Sequence, residues 1–224
     1  KIAMLLADAV EQTTEGRYKD FSMSEDERYE LYIAAWLHDC GKVATPPHIV
    51  DKATKLETIT DRIQTVDTRF EVKKRDFEIS MLKKQIQLMK NGSANDAMDK
   101  IKLEYEKVLD QLNDDRYFIH RTNLGGEFMM EDEKKRVEEI GNYKWVSDGN
   151  EIPFLNEEEV RNLQISKGTL LPEEREIIND HIVITIEMLE KLPYPKKLEN
   201  VPKFAGAHHE KLNGTGYPKG LKDE

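Results

Sequence analysis

His38-Asp39, His181 and His208-His209 are polar side chains where the surrounding pattern asks for apolar ones. His38-Asp39 closes Leu31–Leu37, the most hydrophobic helical run of the chain. His181 comes four residues after Ile177 on an apolar helical face, and His208-His209 lie one turn beyond Phe204-Ala205. Imidazoles and a carboxylate turned toward an interior are costly to desolvate unless they pair with one another or with a metal ion. Five such groups drawn from three helices predict a single site. Nitrogen and carboxylate ligands without a thiolate suit iron, manganese or zinc, and an aspartate is able to bridge two ions. A two-metal site clamps a phosphodiester and activates water for in-line attack. Each residue alone has a plainer reading, because a lone helical histidine is commonly a hydrogen-bonded core or surface group. His48, beside Pro46-Pro47, and His120 read as exposed.

The elements that must position these groups read almost entirely as helix. Residues 1–15 are amphipathic through Ile2, Leu5, Leu6, Ala9 and Val10. A second helix over 25–39 starts at Ser24, with Glu25, Asp26 and Glu27 in its first turn, where negative charge suits the helix dipole. Its second half, Leu31–Leu37, is apolar all round and is expected to be buried. Gly41 ends it, and Pro46-Pro47 predict an extended turn. From 57 to 112 the character changes. Ile63, Phe70 and Phe77 are seven apart, and Ile79, Leu82, Ile86 and Met89 continue at 3-4-3 spacing. Asn91-Gly92-Ser93 breaks the pattern, and Met98, Ile101, Tyr105, Val108 and Leu112 resume it. That is the pattern of two long helices folded back as an antiparallel coiled-coil hairpin. A short helix at 130–140 precedes an irregular stretch over 141–168 with no β-hairpin signal of weight. Pro172-Glu173-Glu174 opens a helix that carries Ile177, His181, Thr185 and Leu189, and a last helix runs from Pro202 through His209 into a loop over 213–220. The fold class is all-α: a helical bundle around a metal site, with an inserted coiled-coil hairpin.

Composition narrows the partners. The 224 residues carry a net charge of −10, which argues against a nucleic-acid polymer but leaves room for a small anion beside a metal ion. Only 38% of residues are hydrophobic, as expected where a hairpin with a narrow apolar seam stands in solvent. Cys40 is the sole cysteine, so no intrachain disulfide forms and a reducing, cytoplasmic compartment is expected. No apolar run of ~18 residues and no signal peptide is present. The chain opens at Lys1 on a mid-helix pattern, so neither end reads as a natural terminus.

Two motifs join these residues. His38-Asp39-Cys40-Gly41-Lys42 resembles the HD signature of metal-dependent phosphohydrolases, commonly HDIGK. His208-His209-Glu210, followed by Gly214, Gly216-Tyr217-Pro218 and Leu221, resembles the HHExxxGxGYPxxL extension of the HD-GYP family at every fixed position. The resemblance covers 1–56 and 165–224, with 57–164 as an insertion, and implies a bacterial cyclic di-GMP phosphodiesterase. In such an enzyme His38, Asp39, His181, His208 and His209 would hold two or three divalent metal ions, iron or manganese foremost, with zinc or nickel as alternatives. Asp39 would bridge them. Lys42 would contact a substrate phosphate; its other reading is a helix cap that neutralises the dipole. Gly214, Gly216, Tyr217 and Pro218 would shape a loop beside the substrate, or form a purely structural turn. Implied partners are cyclic di-GMP, a sensor or receiver domain in the full-length chain, and a second copy through the hairpin, whose plainer reading is a decoration. Other readings are a hydrolase of another cyclic dinucleotide or nucleoside phosphate, and a non-catalytic nucleotide receptor.

Two departures stand out. The interval between Asp39 and His181 is 142 positions, against a short one in typical members. The ligand that the family takes from an upstream helix, and the aspartate from a downstream one, fall outside the 224 residues, so weak metal binding is expected of this stretch alone.

Overall fold

The computed structural model describes residues 1–91 and 95–222. The chain forms two compact units, Lys1–Val50 with Pro172–Glu224, and Asp51–Leu171. The first unit begins with α1 (Ile2–Glu11) and α2 (Glu25–Leu37). Ser24 and Glu27 cap α2 reciprocally, Ser24 N donating to Glu27 Oε2 at 2.7 Å and Glu27 N to Ser24 Oγ at 3.3 Å. Arg28, one turn in, pairs with Asp8 and Glu11 and so ties α2 to α1. The expectation that Leu31–Leu37 is buried on all sides fails at Trp36, which is 71% exposed. Only one face of α2 is covered, and Ala34 on that face packs with Leu189, Val201 and Ala205. A 3₁₀ turn (Cys40–Ala44) and the single-turn α3 (Pro47–Val50) follow. Where an extended turn was expected at Pro46-Pro47, Pro47 opens α3, because its fixed φ suits the first helical position.

The second unit is built on α4 (Ile63–Lys90) and α5 (Asn95–Asn123), packed antiparallel. The turn expected at 91–93 lies, beyond Asn91, outside the described residues. Val66, Phe70, Leu112 and Ile119 bury the base of the pair, and Phe77 and Met81 face Ile101, Tyr105 and Val108 higher up. The expected seam is therefore corrected. Ile79, Leu82, Ile86 and Met89 are 46–63% exposed and form a second stripe of α4, because the register that buries Phe70 turns them outward. Beyond α5 come α6 (Glu131–Gly141), the antiparallel strands β1 (Lys144–Ser147) and β2 (Asn150–Pro153), and α7 (Glu157–Leu163). The stretch 141–168 is thus not irregular. Asp148 and Gly149 both take positive φ, 53° and 77°, which is the backbone of a two-residue hairpin turn. Asn156 caps α7 through Glu159 N at 2.8 Å.

The chain then returns to the first unit with α8 (Pro172–Asn179), α9 (His181–Glu190), a 3₁₀ turn (Lys196–Leu198) and α10 (Val201–Gly206). The helix expected over 172–189 is broken at Asp180. Apart from one two-stranded ribbon, the described residues that form regular structure are helical, and the fold is all-α.

Candidate metal centre

The first unit brings five polar side chains together by packing three chain segments at close range. α2 ends at Leu37, so His38 and Asp39 project from its terminus into the 3₁₀ turn. Gly41 in that turn lies directly against α9, where a Cβ would collide with His181 O and Thr185 N. Gly41 N donates to Thr185 Oγ1 at 2.9 Å, and Thr185 Oγ1 donates to His38 O at 3.3 Å. Glycine here is thus a close-approach residue more than a helix stop. α10 is anchored by the buried carboxylate of Glu30, which accepts from Asn200 N at 2.6 Å. α10 ends at Gly206, so His208 and His209 stand in the turn after it and not within the helix that the spacing predicted.

Three imidazoles share one device. Nδ1 of His38 lies 2.8 Å from Ala35 O and Nδ1 of His208 lies 2.6 Å from Ala205 O, and His181 makes the same contact with Ile178 O. A carbonyl only accepts, so Nδ1 carries the proton and each Nε2 presents a lone pair. All three Nε2 atoms converge on the Asp39 carboxylate. His38 Nε2 is 3.2 Å from Oδ2, and His181 and His208 Nε2 are 3.3 and 3.7 Å from Oδ1. Acceptors therefore face acceptors. Asp39 Oδ1 and His181 Nε2 are both buried with no hydrogen-bond partner, and His181 as a whole is 1% exposed. Unpaired buried polar atoms are costly, and a cation between them removes the cost. His181, His208 and His209 offer ring nitrogens within 4.8 Å of one another, as do the ligand atoms of His38, Asp39 and His208. His208 belongs to both groups, with its ring 4.3 Å from that of His209 and 4.7 Å from that of His38.

Charge in the cluster favours this use. Burial pushes the His208 imidazole below its usual pKa, and the Ala205 carbonyl offsets only part of that. Burial also lowers His209, and a proton on His208 or His181 would lower it further. Both rings are thus kept in the neutral, ligating form. Burial alone would raise the Asp39 carboxyl, but the Lys42 hydrogen bond, the facing imidazoles and the Lys42 ammonium together outweigh it and hold the group below the ordinary range. Asp39 is anionic where the lone pairs meet.

Lys42 and the last loop border the cluster. Lys42 Nζ donates to Asp39 Oδ2 at 2.8 Å and remains partly exposed. The Tyr217 ring stacks on His209 with centroids 4.7 Å apart and planes at 13°. Tyr217 precedes a cis bond to Pro218, and Gly214 has a φ of 77°. Gly216 leaves no room for a Cβ, which would strike Glu210 Cα and Lys211 N. Sequence reasoning overlooked what holds this loop. Glu210 accepts backbone N–H groups from Lys219 at 2.7 Å and Leu221 at 2.8 Å, closing the loop on itself. Its place beside two histidines suggested no such role, since a carboxylate that clamps backbone has no pattern in sequence. Of the remaining histidines, His48 is exposed on α3 and His120 pairs with Asp67 at 2.8 Å in the second unit.

Residues 157–224 match the protein family described as HD domain. That match takes in His181, His208 and His209 and covers under a third of the chain. Among curated proteins, the chain is 39% identical over 59 residues to a cyclic di-GMP phosphodiesterase of Thermotoga maritima, a stretch that makes up 26% of the chain and 16% of that relative. It is also 39% identical over 57 residues to 3'3'-cGAMP-specific phosphodiesterase 3 of Vibrio cholerae, covering 25% and 12%. The matched part is thus under a fifth of either relative. No solved structure matches the chain. His38 and Asp39 lie outside the residues matched to the family, and join His181, His208 and His209 through the fold.

Proposed function

We propose that the protein is a metal-dependent phosphodiesterase of the HD-GYP type that hydrolyses cyclic di-GMP in bacterial signalling. The observation that carries this reading is the convergence of three proton-free Nε2 atoms on an anionic Asp39, with Asp39 Oδ1 and His181 Nε2 both buried without partners. In this reading His38, Asp39, His181, His208 and His209 would hold two or three divalent ions. Histidine with carboxylate and no thiolate suits iron or manganese, and admits zinc or nickel. Such ions, when bound, supply Lewis acidity to a phosphodiester and acidify water for attack.

The chain's own side chains supply position and charge. Lys42 spends one of its three donors on Asp39, leaving the others for a phosphate oxygen at the open side of the cluster. The backbone carbonyls of Ala35, Ile178 and Ala205 keep the Nδ1 protons in place, so the three rings hold one tautomer throughout turnover. Tyr217, braced on His209 and carried by a loop that Gly214, Gly216 and Pro218 shape, offers a ring face or hydroxyl to the nucleotide. The insertion over 57–164 takes no part in the chemistry.

The similarity to a 3'3'-cGAMP-specific enzyme favours one further substrate, a mixed cyclic dinucleotide. The test is hydrolysis by the full-length protein, reloaded with each divalent ion in turn and assayed with both cyclic dinucleotides. Metal-dependent appearance of linear dinucleotide or GMP is expected. Metal-dependent binding without cleavage would make the protein a receptor, and an absence of both would overturn the reading.

A further inference from the structure

α4 carries two apolar stripes, and only one has a partner among the described residues. Phe70, Phe77 and Met81 face α5, whereas Ile79, Leu82, Ile86 and Met89 are 49%, 46%, 51% and 63% exposed. At 3.6 residues per turn the second stripe lies roughly 140° round the helix from the first. Two seams at that angle are what a helix inside a bundle presents, one for each neighbour. The 3-4-3 spacing of the outer stripe is that of a coiled-coil seam. Among the described residues α5 carries no matching stripe: its exposed large apolar side chains are Leu103 and Tyr117, well separated among charged residues. The missing neighbour therefore meets α4 alone.

We infer that the second stripe is a self-association surface, on which α4 of another copy lies antiparallel across a two-fold axis near Lys84. The stripe is self-complementary about that point. Ile79 meets the second copy's Met89 and Leu82 meets its Ile86, with the reciprocal contacts on the other side of the axis, as an isologous interface requires. The flanking charges choose the direction. Asp76, Lys83 and Lys90 line one edge of the stripe. Antiparallel pairing sets Asp76 against Lys90 twice, at the cost of one Lys83–Lys83 approach on the axis. Parallel pairing would set Asp76 against Glu71 twice and offset this with Glu78 against Lys83 twice, so it gains nothing where the antiparallel arrangement keeps a net attraction. The overlap ends at Asp76, just beyond Lys73, whose Nζ donates to Lys144 O at 2.5 Å where α4 meets β1. The paired helices thus stop short of the folded base. Eight apolar side chains make a small interface, below the roughly 1,200 Å² of stable complexes, so the dimer is weak and concentration-dependent.

Sedimentation equilibrium on the whole chain tests this. The wild type is expected to pass from monomer to dimer with concentration, and Leu82→Glu with Ile86→Glu to stay monomeric with helix content unchanged. Asp76→Lys and Lys90→Asp, both at exposed positions, should each weaken the dimer by about two- to thirtyfold, and together restore it. A wild type that stays monomeric at the highest concentration, or a dimer indifferent to the two glutamates, overturns the surface. An Asp76→Lys variant that associates more tightly overturns the antiparallel arrangement. If the double glutamate variant loses helix, the charge swap alone decides.

Discussion

Asp39 in the first unit and Asp115 in the second are both carboxylates drawn into the fold, in opposite company. Asp115 accepts from the Arg136 guanidinium at 2.8 Å, the Tyr143 hydroxyl at 2.7 Å and Gln111 at 3.1 Å, and is 1% exposed. Burial first, and then the Asp115 carboxylate that accepts its hydrogen bond, push the Tyr143 phenol above its ordinary pKa. Glu159 is treated alike, held by Arg69 at 2.7 and 3.0 Å and by Asn156 N at 2.9 Å. Asp39 has one hydrogen bond, from an exposed lysine, and turns its buried oxygen toward lone pairs. A buried charge that is fully paired holds a scaffold together. A buried charge set among groups of its own kind is unfinished without a ligand, and that contrast separates the two units more sharply than any motif.

The contrast breaks most visibly at Asp39. Asp39→Ala should abolish metal binding and hydrolysis together, since even a residue that only orients a ligand costs 10–100-fold in metal affinity, on the order of what the ligand itself must exceed. The metal-free protein should lose at most about 1 kcal/mol, because what the substitution removes from the fold is a partly exposed pair with Lys42. Elemental analysis and thermal unfolding of the chelated protein check both halves. A metal-free variant destabilised by several kcal/mol would mean that Asp39 is already paired.

Glu159→Ala should behave in the opposite sense. It strands Arg69 in the second unit, and breaking a buried pair from one side costs about 3–5 kcal/mol. Urea unfolding should report that loss while metal stoichiometry stays at the wild-type value. A loss of metal would mean that the insertion supports the site after all.

Lys55 sharpens the comparison through pH. It is buried, its ammonium donating to Leu163 O at 2.9 Å and Ile165 O at 2.8 Å, and burial brings its pKa from 10.5 down to about 8. The folded pKa lies below the unfolded one, so between these values the unfolded chain holds the extra proton and stability must rise with pH. The rise is at most about 3 kcal/mol, taking 1.36 kcal/mol for each pH unit. The raised Tyr143 phenol opposes it only above the ordinary tyrosine range. The difference in urea stability between the wild type and Lys55→Met, followed from pH 8 upward, isolates the effect. A flat difference would mean that the ammonium is solvated in the folded state.

Much of this architecture was legible before any coordinates, for reasons specific to each element. His38-Asp39 and His208-His209 stand out because charge at the end of an apolar run is rare, and the long helices because their spacing persists over many turns. What escaped depends on tertiary choice. Nothing in the spacing of Ile79, Leu82, Ile86 and Met89 tells which of two stripes meets α5; the burial of Phe70 at the base decides it. The β1–β2 ribbon rests on Asp148-Gly149, a two-residue signal flanked by strands of four residues each. Trp36 reads as core by type and is exposed by packing. Glu210 was invisible because its partners are backbone N–H groups, which every residue but proline carries.

The smallest effect concerns Lys42, which borders both kinds of charge: it neutralises Asp39 in the chain as it stands and would meet a phosphate oxygen during turnover. A hydrogen bond to a charged group contributes about 1.5–3 kcal/mol, so Lys42→Ala should lower kcat/KM by roughly ten- to hundredfold. Metal content distinguishes the two functions of the side chain. If Lys42 serves the phosphate, the variant keeps its metal, and the remaining charge of Asp39, no longer shared with an ammonium, binds the ion at least as well as before. If instead Lys42 only steadies Asp39, metal affinity and activity fall in parallel and KM for the nucleotide stays where it was. Lys42→Arg separates the cases again, since a guanidinium keeps the charge but presents its donors in a planar fork. Partial recovery of kcat/KM by arginine, with metal content constant across all three proteins, is the expected result. Equal activity in wild type and Lys42→Ala would remove Lys42 from the site and leave the positioning of the phosphate to the metal ligands and the Tyr217 loop.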